Sequence, residues 1–379
     1  MPRRILVAAL PVLLVLVSTC SSSDGDADVA TSERSAAPTT VVETTTTAAP
    51  VPSVTDDEFL ATQIELVRLP VTGGWALIAL VEPDGTVTYA SAGGGPSGTA
   101  PTADDAFRIG SVTKVFTSLV TLSLVDEGLV DLDAPANSYV SRVDVPPTIS
   151  VRDLLQHTSG IPDFVNFIDE SVLDDPSRFF QPEEIYDLVA DEDLNFDPGA
   201  RFQYSNTNYL VLGLLIEEVT GRAAAEEVRS RILDPLEMTD TYLSGYEPGP
   251  PPFESYTTLY GTKQPTDFDY SSIVSGAPMA GAMVSSARDL HRLFTALVAG
   301  ELISAESFAE MTSGDRYGLG LVTDGLGSND SLIGHNGLIP GYQTLVLHSP
   351  ETGRTAFWVS GEDLDFSPAV GDVANRIAD

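Results

Sequence analysis

The sequence predicts an α/β fold of the α+β kind, in which an antiparallel sheet is flanked by helices and joined to a mostly helical subdomain. Three observations predict it: a hairpin pattern near residue 75, helical periodicity over most of residues 111–300, and a return to strand patterns after residue 317. Strands on either side of a helical block favour one sheet that both ends of the folded region complete. An active site is expected at the seam between two such lobes.

The N-terminal segment has the features of an export signal. Arg3 and Arg4 precede a 13-residue apolar run, residues 5–17, and Cys20 follows shortly after it. A charged start and a short apolar run are typical of a secretory signal, and the run is too short to span a bilayer comfortably. A cysteine in this place resembles a bacterial lipoprotein signal. We therefore interpret residues 1–20 as a signal peptide with a lipidated Cys20, and secretion without a lipid is the alternative.

Residues 21–55 are rich in Ser, Thr, Ala, Pro and Asp and contain almost no large apolar side chain. Such a segment cannot bury enough surface to offset the entropy lost on ordering, so we predict a disordered linker. The remainder, residues 56–379, is predicted to fold as one domain. Its sheet lobe comes from about 56–110 and 300–379, and its helical lobe from about 111–299.

The chain is strongly acidic, with 55 Asp and Glu against 19 Lys and Arg and a net charge of −36. Such a field repels nucleic acid and anionic lipid, which excludes nucleic acid as a partner. A small molecule or peptide remains as the expected partner, with membrane contact only through the N-terminal anchor. Cys20 is the sole cysteine and the four histidines show no metal-ligand spacing, so the sequence predicts no cofactor and no metal.

The individual elements follow from periodicity and turn residues. Apolar spacing predicts a first helix over 56–69, and Pro83-Asp84-Gly85 predicts a hairpin between strands at 75–81 and 86–92. Further helices are predicted over 151–156, 182–190, 207–220 and 367–377, and further strands over 318–322, 332–335, 343–348 and 355–359.

Ser111 and Lys114 are the first candidate catalytic pair. They open an apolar helical segment and lie three residues apart, which places both on one helix face. A serine hydroxyl needs a base to become nucleophilic, and a buried lysine with a lowered pKa can be that base. The plain alternative is a helix cap at Ser111 and a surface lysine at 114. The apolar neighbours of Lys114, in a chain with only two lysines, argue against that alternative.

Two later segments supply further candidates. Tyr204-Ser205-Asn206 lies just before a predicted helix, a position suited to line a pocket, although a helix cap with a core tyrosine would explain it too. His335-Asn336-Gly337 follows an apolar strand, and its glycine would let a ligand approach the strand edge closely. A polar turn is the alternative there.

These segments resemble, in order, the S-x-x-K, Y-x-N and H-x-G motifs of serine β-lactamases and penicillin-binding proteins. The similar branch includes class C β-lactamases, D-alanyl-D-alanine carboxypeptidases of the streptomycete type, and related esterases. Further segments at 154–162, 196–199, 235–238, 285–290 and 317–320 are also similar to that family. The resemblance covers about residues 56–379 and implies a β-lactamase/transpeptidase-like fold.

The resemblance implies a role for each position. Ser111 would form the acyl-enzyme, Lys114 would accept its proton, and Tyr204 would share the proton transfers. Asn206 would hold Lys114 and the substrate amide, and His335 would give electrostatic support near Tyr204.

The same resemblance implies that the oxyanion hole consists of the backbone N–H groups of Ser111 and Leu338, the residue after Gly337. Asn336 stands where a threonine is usual and lacks the hydroxyl that commonly helps to bind a substrate carboxylate, but as a substrate-binding residue its side chain could still donate a hydrogen bond. His157 lies in a segment where the family has a structural histidine, and we interpret it in that way.

The predicted function is therefore serine hydrolysis through an acyl-enzyme on Ser111, of the D-alanyl-D-alanine carboxypeptidase or β-lactamase type. An esterase on the same fold is one alternative. A catalytically slow, penicillin-binding surface lipoprotein is another, which the long linker and acidic surface would suit.

Overall fold

A computed structural model describes residues 57–67, 74–168, 175–258, 263–266, 269–314, 316–323, 331–361 and 367–379. The predicted signal segment with Cys20 and the predicted linker lie outside the described residues. In the described ranges, no helix is both long and apolar enough to cross a bilayer. The same ranges contain no group of three or more His, Cys, Asp or Glu residues placed to hold a metal ion.

Both ends of the domain build one five-stranded antiparallel sheet, which confirms the predicted fold class. Its strand order is β2-β1-β10-β9-β8. The strands are β1 (Trp75–Val81), β2 (Val87–Gly93), β8 (Ile333–Ile339), β9 (Tyr342–His348) and β10 (Thr355–Ser360). Two of the three inner strands, β1 and β10, are buried along their whole length, so both faces of the sheet are covered there.

The helices follow the predicted positions closely. They are α1 (Glu58–Leu66), α2 (Thr113–Asp126), α3 (Val151–Leu155), α4 (Pro182–Tyr186), α5 (Asn206–Thr220), α6 (Ala224–Val228), α7 (Ser271–Val274), α8 (Pro278–Gly281), α9 (Ala287–Val298), α10 (Ala305–Met311) and α11 (Ser367–Ala378). A π-helical turn, Arg229–Leu233, extends α6. Caps explain several starts: the Asp57 carboxylate accepts from Phe59 N at 2.9 Å, and Ser150 forms a capping box with Asp153.

The core has two main parts, one on each face of the large sheet. On the outer face, α1 and α11 pack against alternate residues of the strands, such as Ile78, Leu347 and Trp358. On the inner face, residues such as Leu77, Val346 and Phe357 join a continuous apolar core with α2, α5 and α9. Because side chains alternate between the two faces of a strand, each residue of the sheet contributes to one of these two cores. The same alternation decides which residues of β8 face the catalytic cluster, meaning Ser111, Lys114 and Tyr204.

Two features differ from the prediction. The strand predicted over 318–322 is wrong: Gly320 has a φ of +81°, and the segment forms a turn with isolated bridges from Val322 to Tyr317 and to Gly334. The helical middle also contains a three-stranded sheet of order β3-β7-β4, made of β3 (Phe107–Arg108), β4 (Tyr242–Leu243) and β7 (Met283–Ser285). A separate short pair joins β5 (Tyr256–Thr257) to β6 (Gln264–Pro265).

Candidate active site

Ser111 lies in a 3₁₀ turn, Gly110–Val112, that leads directly into α2. The turn is held by the Thr113 hydroxyl, which donates to Gly110 O at 2.6 Å. Every residue of α2 from 113 to 122 is buried, whereas Ser111 is partly exposed. The serine therefore stands where a buried helix reaches the surface of the cleft.

Lys114 is fully buried one turn after Ser111, and its Nζ lies 3.1 Å from Ser111 Oγ. The same nitrogen donates to Asn206 Oδ1 at 2.8 Å and to the backbone oxygen of Ala280, in α8, at 2.6 Å. Burial lowers the pKa of Lys114 to about 7, and the charge of Asp163 opposes that change. A large fraction of neutral amine at neutral pH follows from this pKa.

Tyr204 contacts the same serine from the other side. Its O–H donates to Ser111 Oγ at 2.8 Å. Burial raises the pKa of the Tyr204 phenol well above its usual value of 10.0, so the phenol is protonated at neutral pH and acts as a hydrogen donor.

His157 holds the segment that carries Tyr204. It accepts backbone hydrogen bonds on its carbonyl oxygen from Gln203 N at 2.9 Å and on Nδ1 from Ser205 N at 3.2 Å. Its ring packs against the Tyr204 ring with centroids 4.2 Å apart. His157 is buried, has a φ of +58°, and its Nε2 has no hydrogen-bond partner among the described residues. These contacts suit the structural role expected for it.

Asn206 begins α5 and connects two groups of the site. Its carbonyl oxygen accepts from Lys114, and its amide nitrogen donates to the Asp163 carboxylate, with distances of 3.0 and 3.3 Å to the two oxygens. The side chain is therefore held at both ends.

Leu338 lies against the Ser111 turn. A Cβ added at Gly110 would come within 2.8 Å of Leu338 N, and one added at Gly337 within 2.0 Å of Ile109 O, so only glycine permits this close approach. Antiparallel pairing alternates along a strand, and Gly334 uses its outward backbone groups to bond with Val322. In the same alternation, Leu338 N–H points away from β9 and towards the cleft.

The Ser111 N–H belongs to the first residues of its turn, which have no acceptor within the turn. Two backbone donors, from Ser111 and Leu338, thus lie on neighbouring elements at the predicted oxyanion position.

His335 lies on the inner face of β8 and is buried, but it is not a cation. Burial, together with the nearby charge of Lys114, lowers the pKa of its imidazole to about 3. Its Nε2 is 3.0 Å from the Tyr317 hydroxyl. The electrostatic support expected from His335 near Tyr204 stays a prediction, and at neutral pH it would come from a neutral ring paired with Tyr317.

The side chain of Asn336 lies on the other face of β8. Asn336 pairs with Leu345, which belongs to the outer core, whereas His335 pairs with Val346 of the inner core. The substrate contact predicted for the Asn336 side chain stays a prediction. The strand alternation turns the backbone groups of Asn336, rather than its side chain, towards the open edge of β8.

Sequence reasoning missed three contributors to the site. Asp163 follows Pro162 in a segment that looks like an ordinary turn, and Ala280 contributes only a carbonyl, which any residue has. Tyr317 belongs to a segment that resembles the family, although the three motifs give it no role. Asp163 and Tyr317 each had a usable signal, because one directly follows and the other begins a segment that resembles the family.

An antiparallel sheet beside a helical part, with a serine, a lysine and a tyrosine in contact at their seam, defines a serine hydrolase of the β-lactamase and penicillin-binding type. A family model described as Beta-lactamase matches residues 74–374. The chain belongs to the β-lactamase family, which confirms the resemblance seen in its motifs.

The chain is also similar to a curated relative. A penicillin-binding protein of Bacillus subtilis (strain 168) is 25% identical over 293 residues, which cover 72% of this chain and 64% of the relative. The chain thus spans just under two thirds of that curated relative.

Two solved structures are similar over most of their length. A D-stereospecific amidohydrolase from Streptomyces sp. has 29% identity and a TM-score of 0.69, covering 83% of this chain and 97% of that one. The D-amino acid amidase from Ochrobactrum anthropi SV3, complexed with L-phenylalanine, has 29% identity and a TM-score of 0.66, covering 76% and 85%.

Proposed function

We propose that this chain is a serine amidohydrolase that cleaves amide bonds of D-aminoacyl substrates through an acyl-enzyme on Ser111. One observation carries the proposal. The Tyr204 O–H donates to Ser111 Oγ, and Lys114 Nζ lies 3.1 Å from the same oxygen, so the serine can give its own hydrogen to Lys114 when that amine is neutral. A nucleophile with its base already aligned is the requirement for this chemistry.

The steps balance with these residues alone. The neutral Lys114 amine takes the Ser111 proton as Oγ forms a bond to the substrate carbonyl carbon. The carbonyl oxygen becomes an oxyanion, which the backbone N–H groups of Ser111 and Leu338 stabilise. The C–N bond then breaks as the leaving nitrogen takes a proton from the Lys114 ammonium, with the Tyr204 phenol in position to relay it. Water attacks the ester by the same route and restores the Ser111 hydroxyl.

The D-aminoacyl preference rests on similarity, and the preference for an uncharged amide rests on charge. Two structures that match this chain at 29% identity are a D-stereospecific amidohydrolase and a D-amino acid amidase. Carboxypeptidase substrates and penicillins carry a carboxylate that a cation would bind. His335 is neutral, and Lys114 is the one basic side chain that contacts Ser111 in the described part of the chain. Uncharged amides therefore suit this site better.

Ester hydrolysis is a second candidate, which the neutral His335 also favours. An ester needs the same nucleophile, base and oxyanion hole but a weaker proton donor for its leaving group. The same panel of substrates tests both candidates.

The test is turnover of paired D- and L-phenylalanine p-nitroanilides, a p-nitrophenyl ester, a D-Ala-D-Ala peptide and a labelled penicillin, each with intact-mass analysis. We expect turnover of the D-anilide, little of the L-anilide, and none of any substrate by Ser111→Ala, whose melting temperature should match that of the wild type. Turnover of the ester alone would favour the esterase. A long-lived penicillin adduct without turnover would favour the slow binding protein, and the absence of both turnover and any adduct on Ser111 would refute all three.

A further inference from the structure

The carboxylate of Asp163 is surrounded by protein behind the catalytic cluster, although the residue as a whole is partly exposed. It accepts from Asn206 Nδ2 on both oxygens, and Oδ1 also accepts from Val165 N at 3.3 Å. Burial raises the pKa of this carboxyl, while the Val165 N–H, the Lys114 charge and Asn206 counteract the rise.

This carboxylate fixes the orientation of the Asn206 amide. An amide can place either its oxygen or its nitrogen on a given side, and the network of partners decides which. With Asp163 as an anion, the NH₂ group must face the carboxylate, so the carbonyl oxygen faces Lys114 Nζ at 2.8 Å. The reverse orientation would place the amide oxygen against the Asp163 carboxylate and the NH₂ group against the N–H groups of Lys114.

The orientation of Asn206 in turn aligns the lysine. A neutral amine has two N–H donors and one lone pair. Asn206 Oδ1 and Ala280 O accept the two hydrogens, and the third contact of Nζ is with Ser111 Oγ. The lone pair is thereby directed at the serine hydroxyl.

We propose that Asp163 is a positioning residue, which acts through the Asn206 amide to aim the Lys114 amine at Ser111. The inference rests on the proposed function, since it assigns the control of that base. The chain of contacts runs from Asp163 to Asn206, then to Lys114 and Ser111, and each link lies within 3.3 Å.

A purely structural role for Asp163 can be separated from this one. Asp163 also caps the 3₁₀ turn Phe164–Asn166. Asparagine caps such turns about as well as aspartate, so Asp163→Asn keeps the cap and removes only the charge and the forced orientation of Asn206. A structural role predicts a change in stability without a loss in the rate at which Ser111 is inactivated at high pH, where Lys114 is neutral.

The direct measurement is NMR titration of protein labelled with ¹³Cε-lysine. The chain has only two lysines, Lys114 and Lys263, so Lys263→Arg assigns the signals. The Asp163 anion raises the pKa of Lys114 against the effect of burial. Asp163→Asn should therefore shift the Lys114 titration to lower pH, and an unchanged titration would overturn the inference.

The kinetic measurement is the second-order rate of inactivation by a fluorophosphonate, which needs an activated Ser111 but no particular substrate. Asp163→Asn should slow it roughly tenfold to a hundredfold, since a misaligned base loses much of its effect, and should move its pH dependence to lower pH. In an Asn206→Ala background the same substitution should cost little, because Asp163 acts through Asn206.

The matched control is Asp289→Asn. Asp289 is also a buried carboxylate, whose pKa burial raises, and it accepts from Asp240 N at 2.9 Å and Thr241 Oγ1 at 2.8 Å, away from the cluster. Its inactivation rate and pH dependence should match those of the wild type; an equal loss in both variants would make the Asp163 effect one of stability and overturn the inference. A wild type that is never inactivated would refute the proposed function, while the NMR titration would still test the link between Asp163 and Lys114.

Discussion

The Tyr204 phenol donates a hydrogen bond to Ser111 Oγ at 2.8 Å, although 93 positions separate the two residues in the chain. With one lone pair of Oγ engaged by Tyr204, the serine can donate its hydroxyl hydrogen to a neutral Lys114 amine, whose Nζ lies 3.1 Å from the same oxygen. Lys114, Ser111 and Tyr204 are therefore linked in this order by hydrogen bonds, and this arrangement leads to measurable predictions.

The first consequence is a pH dependence set by Lys114. The lysine accepts a proton only as a neutral amine, and burial lowers its pKa to about 7. We expect the second-order rate of fluorophosphonate inactivation to rise with pH through about 7 and to level off above it. His335, with a pKa of about 3, does not titrate in this range. A rate that is flat between about pH 6 and pH 8 would contradict the assignment of Lys114 as the base.

Much of this site was predictable from local spacing. Ser111 and Lys114 share a helix face because they lie three residues apart. Lys114 was expected to be buried because its neighbours in the helix are apolar. The fold class was predictable for a similar reason, since alternation and turn residues mark the hairpin at 83–85 and the terminal strands.

Other features had no local signal. The contact of Lys114 with Ala280 O depends on how α8 packs against α2, which periodicity does not report. The charge state of His335 depends on its burial, and a histidine looks the same in the sequence whether neutral or charged. The segment 318–322 alternates Leu319 and Leu321 like a strand, but the positive φ of Gly320 makes it a turn.

The second prediction concerns the Tyr204 hydroxyl. Tyr204→Phe removes the donor to Ser111 Oγ and leaves the aromatic ring on His157. We expect the acylation rate to fall about 100-fold or more, because the serine proton loses its direction and the leaving group its proton relay. The melting temperature should change little. Stopped-flow acylation and thermal unfolding of this variant check both points, and a rate near that of the wild type would exclude Tyr204 from proton transfer.

The third prediction links the lysine to stability. Lys114 has an ordinary pKa of 10.5 in the unfolded chain and about 7 in the folded protein. At pH values between these two, Lys114 is protonated in the unfolded chain and neutral in the folded protein. The free energy of unfolding therefore rises with pH over this range. The free energy of unfolding of the wild type minus that of Lys114→Met should therefore rise by about 3–5 kcal/mol from pH 7 to pH 10.

Urea unfolding of both proteins across that range measures the difference, and the titrations of groups that do not interact with Lys114 cancel between them. A difference that is constant, or that falls with pH, would show that Lys114 is charged in the folded protein.

The last prediction concerns the close approach of β8 to the Ser111 turn. A Cβ at Gly337 would lie 2.0 Å from Ile109 O and 2.6 Å from Thr344 Oγ1, so Gly337→Ala must push β8 away from the turn. This displacement moves Leu338 N–H out of the oxyanion position and should lower kcat about 100-fold, with a stability loss of about 1–3 kcal/mol. Gly371→Ala is the matched control, because a Cβ there meets no atom within 4 Å and alanine favours α11. Steady-state kinetics and urea unfolding of both variants decide the matter: a Gly337→Ala enzyme that loses stability but keeps kcat would place the oxyanion on donors other than Leu338.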